Sequence, residues 1–114
     1  MPTKSSSGLP VALIQMAMSP DPKKNLPAAV DRITAAAKQG AQLVCLPELF
    51  RSLYFCQKED YRCFNLAEPI PGPTTDLLAK TAKKLKITLV SSHFEQRTGG
   101  LYHNTAVEIG RAHV

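Results

Sequence analysis

The first patterned segment, Val11 to Met18 (VALIQMAM), is a nearly continuous apolar run. It stops at SPDP, where two prolines and Asp21 supply turn chemistry. Such a run predicts a strand covered on both faces, as in a parallel sheet. In the next stretch, KNLPAAVDRITAAAKQG, the period changes: Leu26, Val30, Ile33 and Ala37 recur at the spacing of one helical face. Asn25 is placed to cap that helix. Pro27 falls near its start, where a missing N–H does no harm, and Gly40 ends it. AQLVCL is a second apolar run and predicts a second buried strand. Strand, helix and strand with short links form a βαβ unit, and its crossover is right-handed.

Beyond Phe50 the pattern loosens. QKEDYRCF predicts a short helix and AEPIPGP a proline-rich loop. Thr74 or Thr75 then caps a further helix, whose apolar face is Leu77, Leu78, Ala82 and Leu85. KITLVSSHFEQR predicts a third strand, bent near Ser91 and Ser92. TGG turns it, and LYHNTAVEI returns as its antiparallel partner. The order β-α-β-(loop, α)-β-β is an α/β layered fold with an antiparallel extension. Residues 1–9 are a polar lead.

Composition narrows the class. The chain has 114 residues, 44% of them hydrophobic, which is enough for one small domain. Its net charge is +5, from 14 basic and 9 acidic residues. Lys80, Lys83, Lys84 and Lys86 contribute as one cluster. With no arginine-rich, aromatic-interleaved or finger-type pattern beside it, the cluster reads as a solvated helix face, so no nucleic-acid partner is expected. "SPDP" holds no glycine, which argues against a phosphate-cradling loop after the first strand. Cys45, Cys56 and Cys63 lack metal-ligand or redox spacing, so neither a metal nor another cofactor is expected, and free thiols fit a reducing compartment. The absence of a signal-type or membrane-length apolar run leads to the expectation of a soluble, cytoplasmic protein with no membrane partner.

The chemistry concentrates in LVCLPELF, where a carboxylate follows a proline at the end of a predicted buried strand. In open α/β sheets the carboxyl ends of strands face the ligand crevice. Pro47 ends the ladder there, and Glu48 projects towards that crevice. A partly dehydrated carboxylate in such a place suits a general base; the plainer alternative is a glutamate that caps or ion-pairs the following loop. Cys45 is expected to point into the sheet core as an inert thiol, and His93 and His103 to be polar strand residues.

Several segments together resemble the nitrilase superfamily, the carbon–nitrogen hydrolases: LPELF, SLYFCQ, AEPIPGPTT and LYHNTAV. The resemblance runs over roughly residues 10–107 and is most similar to the N-carbamoylputrescine amidase branch, close to the β-ureidopropionase type. It implies the N-terminal part of a four-layer α-β-β-α sandwich, a small amide or carbamoyl substrate, no cofactor, and a homo-oligomer in the full-length form. For Glu48 it implies the general base that takes a proton from a catalytic thiol. That thiol attacks the amide or carbamoyl carbon, a lysine stabilises the oxyanion, and water releases the product. For Tyr54 it implies a place at the pocket entrance, with Phe55 beside it. Asn104 falls on a family position read as structural, bonding a neighbouring loop. The family's lysine and cysteine segments follow the Asn-Thr-Ala strand and are not found in this chain, where 108–114 (EIGRAHV) reads as a non-matching tail. The 114 residues are therefore expected to be inactive alone, or to bind the oligomer of a full-length counterpart.

Overall fold

A computed structural model describes residues 8–48 and 67–110. Four strands form one sheet in the order β1-β2-β3-β4: β1 is Val11–Leu13, β2 Leu43–Cys45, β3 Thr88–Thr98 and β4 Leu101–Ile109. The first three run parallel and β4 returns antiparallel. Helix α1, Pro22–Lys38, links β1 to β2, and α2, Pro73–Leu85, precedes β3. The expected element order is therefore present. The predicted short helix in QKEDYRCF lies outside the described residues, as do Cys56 and Cys63.

Both helices cover one face of the sheet. Ala29, Ile33 and Ala36 of α1 and Leu78 and Ala82 of α2 bury against Val44, Ile87 and Leu89. The opposite face has no cover among the described residues. Leu13 is 78% exposed and Val11 51%, so the apolar run that predicted cover on both sides has cover on one. From Val11 to Met18 burial alternates, with Ala12, Ile14, Met16 and Met18 turned inward. The run is apolar on both faces, but only one of those faces meets a packed layer here.

Both N-caps differ from expectation. Helix α1 starts earlier than its apolar period, at Pro22, with Asp21 as N-cap accepting from the Lys23 N–H at 2.9 Å. Pro27 is consequently interior to the helix rather than at its start. Asn25, expected as the cap, is instead 2% exposed and clasps the preceding turn. Its Oδ1 accepts from the Ser19 N–H at 2.8 Å, and its Nδ2 donates to the Ser19 carbonyl at 2.6 Å. The N-cap of α2 is Gly72, not Thr74 or Thr75. Thr75 Oγ1 accepts from the Gly72 N–H at 2.8 Å, while Thr74 gives both its N–H and its hydroxyl to the Glu68 carboxylate, at 3.0 and 2.7 Å. The cap chemistry is present, distributed over Glu68, Gly72, Thr74 and Thr75.

Glu68 also extends the sheet. Its N–H donates to Phe94 O at 3.1 Å and its carbonyl accepts from Gln96 N–H at 2.8 Å, occupying the edge of β3 beyond the point where β2 has ended. The pairing of β3 with β4 runs in unbroken register through Ser91 and Ser92, and shifts between Gln96 and Thr98. Turn residues Gly99 and Gly100 close the hairpin, and Gly100 has φ +79, a conformation glycine adopts at little cost.

Candidate active site

The segment after β2 positions Glu48. Leu46 N–H still donates to Val90 O at 2.9 Å; Pro47 then has no N–H to offer, and the chain leaves the ladder. Glu48 stands at the carboxyl end of a parallel strand, as the sequence predicted, but it is exposed. The partial dehydration expected there is not seen among the described residues, because Glu48 stands on the uncovered side of the sheet.

On that side the strands bring two further polar groups to it. Pleating divides β3 into two sets. Leu89, Ser91, His93 and Glu95 are buried towards the helices, whereas Val90, Ser92, Phe94 and Gln96 face the other way. Phe94 is paired with Asn104 of β4, which puts Asn104 on the Glu48 side as well. Asn104 Nδ2 donates to Glu48 Oε1 at 2.6 Å, and Ser92 Oγ donates to Asn104 Oδ1 at 2.8 Å. A hydrogen-bonded line thus runs Ser92, Asn104, Glu48 across two strands to the end of a third. Phe94 and Tyr102 stack beside it, with ring centroids 5.5 Å apart.

The remaining candidates separate from this group. Cys45, expected in the core, is half-buried on the uncovered side, since it is Val44 that faces the helices. His93 is buried on the helix side with its Nε2 2.6 Å from Ser91 Oγ, and His103 is exposed. Glu95, also buried on the helix side, accepts from Thr105 Oγ1 at 2.8 Å and lies 3.6 Å from Arg97 Nε. Lys80, Lys83, Lys84 and Lys86 are exposed, the solvated face expected of them. Tyr54 and Phe55 lie outside the described residues. Among the described residues no three His, Cys, Asp or Glu side chains gather as metal ligands, and no helix is long and apolar enough to cross a membrane.

Sequence reasoning missed Ser92 and, while placing Asn104 against a neighbouring loop, did not identify Glu48 as its partner there. Alternation along a strand tells which of its own residues share a face. It does not show which face of one strand matches which face of the other.

The carbon-nitrogen hydrolase family profile matches residues 10–113. The chain belongs to that family. It is 34% identical over 98 residues to the N-carbamoylputrescine amidase of Solanum lycopersicum, covering 85% of this chain and 33% of that one. To the omega-amidase NIT2-B of Xenopus laevis it is 37% identical over 100 residues, covering 88% of this chain and 35% of the relative. The crystal structure of a carbon-nitrogen hydrolase from Helicobacter pylori G27 superposes with a TM-score of 0.80 at 33% identity, over 88% of this chain and 35% of that one. The fold is thus nitrilase-like, and the chain spans about a third of the length of the relatives it matches.

Proposed function

We propose that this chain carries the general base, Glu48, of a carbon–nitrogen hydrolase that cleaves a linear amide or carbamoyl C–N bond. N-carbamoylputrescine is the substrate, giving putrescine, ammonia and carbon dioxide, a step in making polyamines. The observation that carries the reading is the place of Glu48: a carboxylate at the carboxyl end of a central parallel strand, tied at one oxygen by Asn104. Its other oxygen, Oε2, receives no hydrogen bond from the described residues and is available to a proton. Tyr54 contributes to the pocket entrance. The nucleophilic thiol and the oxyanion-stabilising lysine come from polypeptide outside these residues, so the 114 residues alone have no turnover. Members of a catalytic group act together, and losing one removes nearly all the rate. The working form is a cytoplasmic homo-oligomer.

The test has two arms. The purified chain is assayed for ammonia release from N-carbamoylputrescine; release above that of Glu48→Gln overturns its inactivity. The chain is then co-folded with the remaining part of the tomato amidase and assayed again. Turnover that falls at least about a thousandfold in Glu48→Gln supports the base assignment, and turnover unaffected by it overturns that assignment. The similarity to an omega-amidase supports a second substrate reading. In the same assay, faster ammonia release from an ω-amide of a dicarboxylic acid, or from ureidopropionate, would replace the first.

A further inference from the structure

We infer that Asn104 is a positioning residue for Glu48, held in place at its other end by Ser92; this rests on the assignment of Glu48 as the base. An ionised carboxylate only accepts hydrogen bonds, whereas a carboxamide presents a donor end and an acceptor end. At 2.6 Å from Glu48 Oε1 the Asn104 group must be the NH2; turned over, it would set two acceptors against each other. The carboxylate thus sets the direction of the amide, and its other end is held by the Ser92 hydroxyl, which donates to Oδ1 at 2.8 Å. Ser92 therefore acts through Asn104, without touching Glu48 in any bond the described residues show.

The mounting of the three side chains explains why the base needs such a tie. Glu48 follows a three-residue strand and a proline, at a turn and exposed, and its side chain has several rotatable bonds to immobilise. Ser92 and Asn104 sit on the two long strands of the hairpin, β3 with 11 residues and β4 with 9. A site is aimed more accurately from regular strands than from a loop. Fixing Oε1 to that hairpin leaves Oε2 to take the proton.

Asn104 reaches this face through the irregularity at Arg97. Thr98 pairs with Leu101, but Gln96 pairs with Tyr102 and Phe94 with Asn104, so β3 has one residue more than β4 between these pairs. Continuing the register of the turn without that extra residue would oppose Asn104 to Glu95, on the helix side. A bulge beside a site commonly re-aims one side chain in this way.

Two measurements test the inference. In the chain labelled with nitrogen-15, the Asn104 side-chain amide protons are expected to exchange with water about tenfold more slowly than those of a solvated amide, because the bond is short and charge-assisted. Ser92→Ala and Glu48→Ala should each remove the protection, and Ser92→Thr, which keeps the hydroxyl, should retain it. A wild-type amide exchanging at the solvated rate, or protection that survives either alanine, overturns the inference. In the co-folded hydrolase, Asn104→Ala should lower kcat about ten- to a hundredfold with KM within about twofold, as expected of a misplaced reacting group. Ser92→Ala should act in the same direction and Ser92→Thr restore the rate. If Glu48→Gln leaves turnover intact, the base assignment falls and the positioning falls with it. If Glu48→Gln abolishes turnover while Asn104→Ala keeps kcat, the positioning alone is overturned.

Discussion

The Asn25 amide shows how much one buried polar side chain can organise. It satisfies both the N–H and the carbonyl of Ser19, holding the SPDP turn against the first turns of α1 while itself almost fully buried. Replacement by alanine leaves these backbone groups without that partner, and a buried unsatisfied group costs more than the bond it lost contributes. Asn25→Ala is expected to destabilise the fold by about 1–3 kcal/mol, read from the urea midpoint at unchanged slope. A midpoint within error of the wild type would assign the clasp no weight. The same residue shows how local sequence misleads. Asparagine just before an apolar period is a cap by propensity, but Asp21 lies further upstream with Pro22 behind it, and proline at the first helical position extends the helix backwards.

At the scale of elements, Glu68 joins three pieces of the fold. Its backbone continues the sheet edge along Phe94 and Gln96, and its carboxylate receives the Thr74 N–H at the start of α2. Negative charge at a helix N-terminus is favourable, and a side-chain cap there is typically worth about 1 kcal/mol. Glu68→Ala is expected to cost about 1–2 kcal/mol and to fray the first turn of α2, seen as faster exchange of the Thr74 and Thr75 amides. Unchanged exchange at both would place the cap elsewhere. Close packing in this loop also fixes Gly72: a Cβ there would collide with the Pro69 carbonyl oxygen. The sequence marked AEPIPGP only as a loop, since neither the bridge to β3 nor the long reach of the Glu68 carboxylate leaves a periodic trace.

For the molecule as a whole, the uneven cover of the sheet dominates. One face is packed by two helices; the other presents Val11 and Leu13 to solvent, with Phe94 and Tyr102 further across it. Exposed apolar surface beside strand edges that have no partner among the described residues invites association. The chain alone is expected to be only marginally stable and to form higher-order species as its concentration rises. Leu13→Lys should shift the sedimentation profile towards monomer while moving the unfolding free energy by no more than about 0.5 kcal/mol, as for other surface changes. A wild-type chain that sediments as a monomer at every concentration would contradict this expectation.

Local rules were enough for the order of elements, the parallel character of the first strands, and the exit of the chain at Pro47 with an acid behind it. Period, turn residues and proline act within a few residues, so they are written in adjacent letters. What tertiary structure alone decided is which surfaces meet. A single extra residue at Arg97 turns Asn104 from the helix side to the Glu48 side, because side chains alternate along a strand and a shift of one exchanges its faces. Ser92, Asn104 and Glu48 lie far apart in the chain. Their line of hydrogen bonds exists only once three strands are laid side by side.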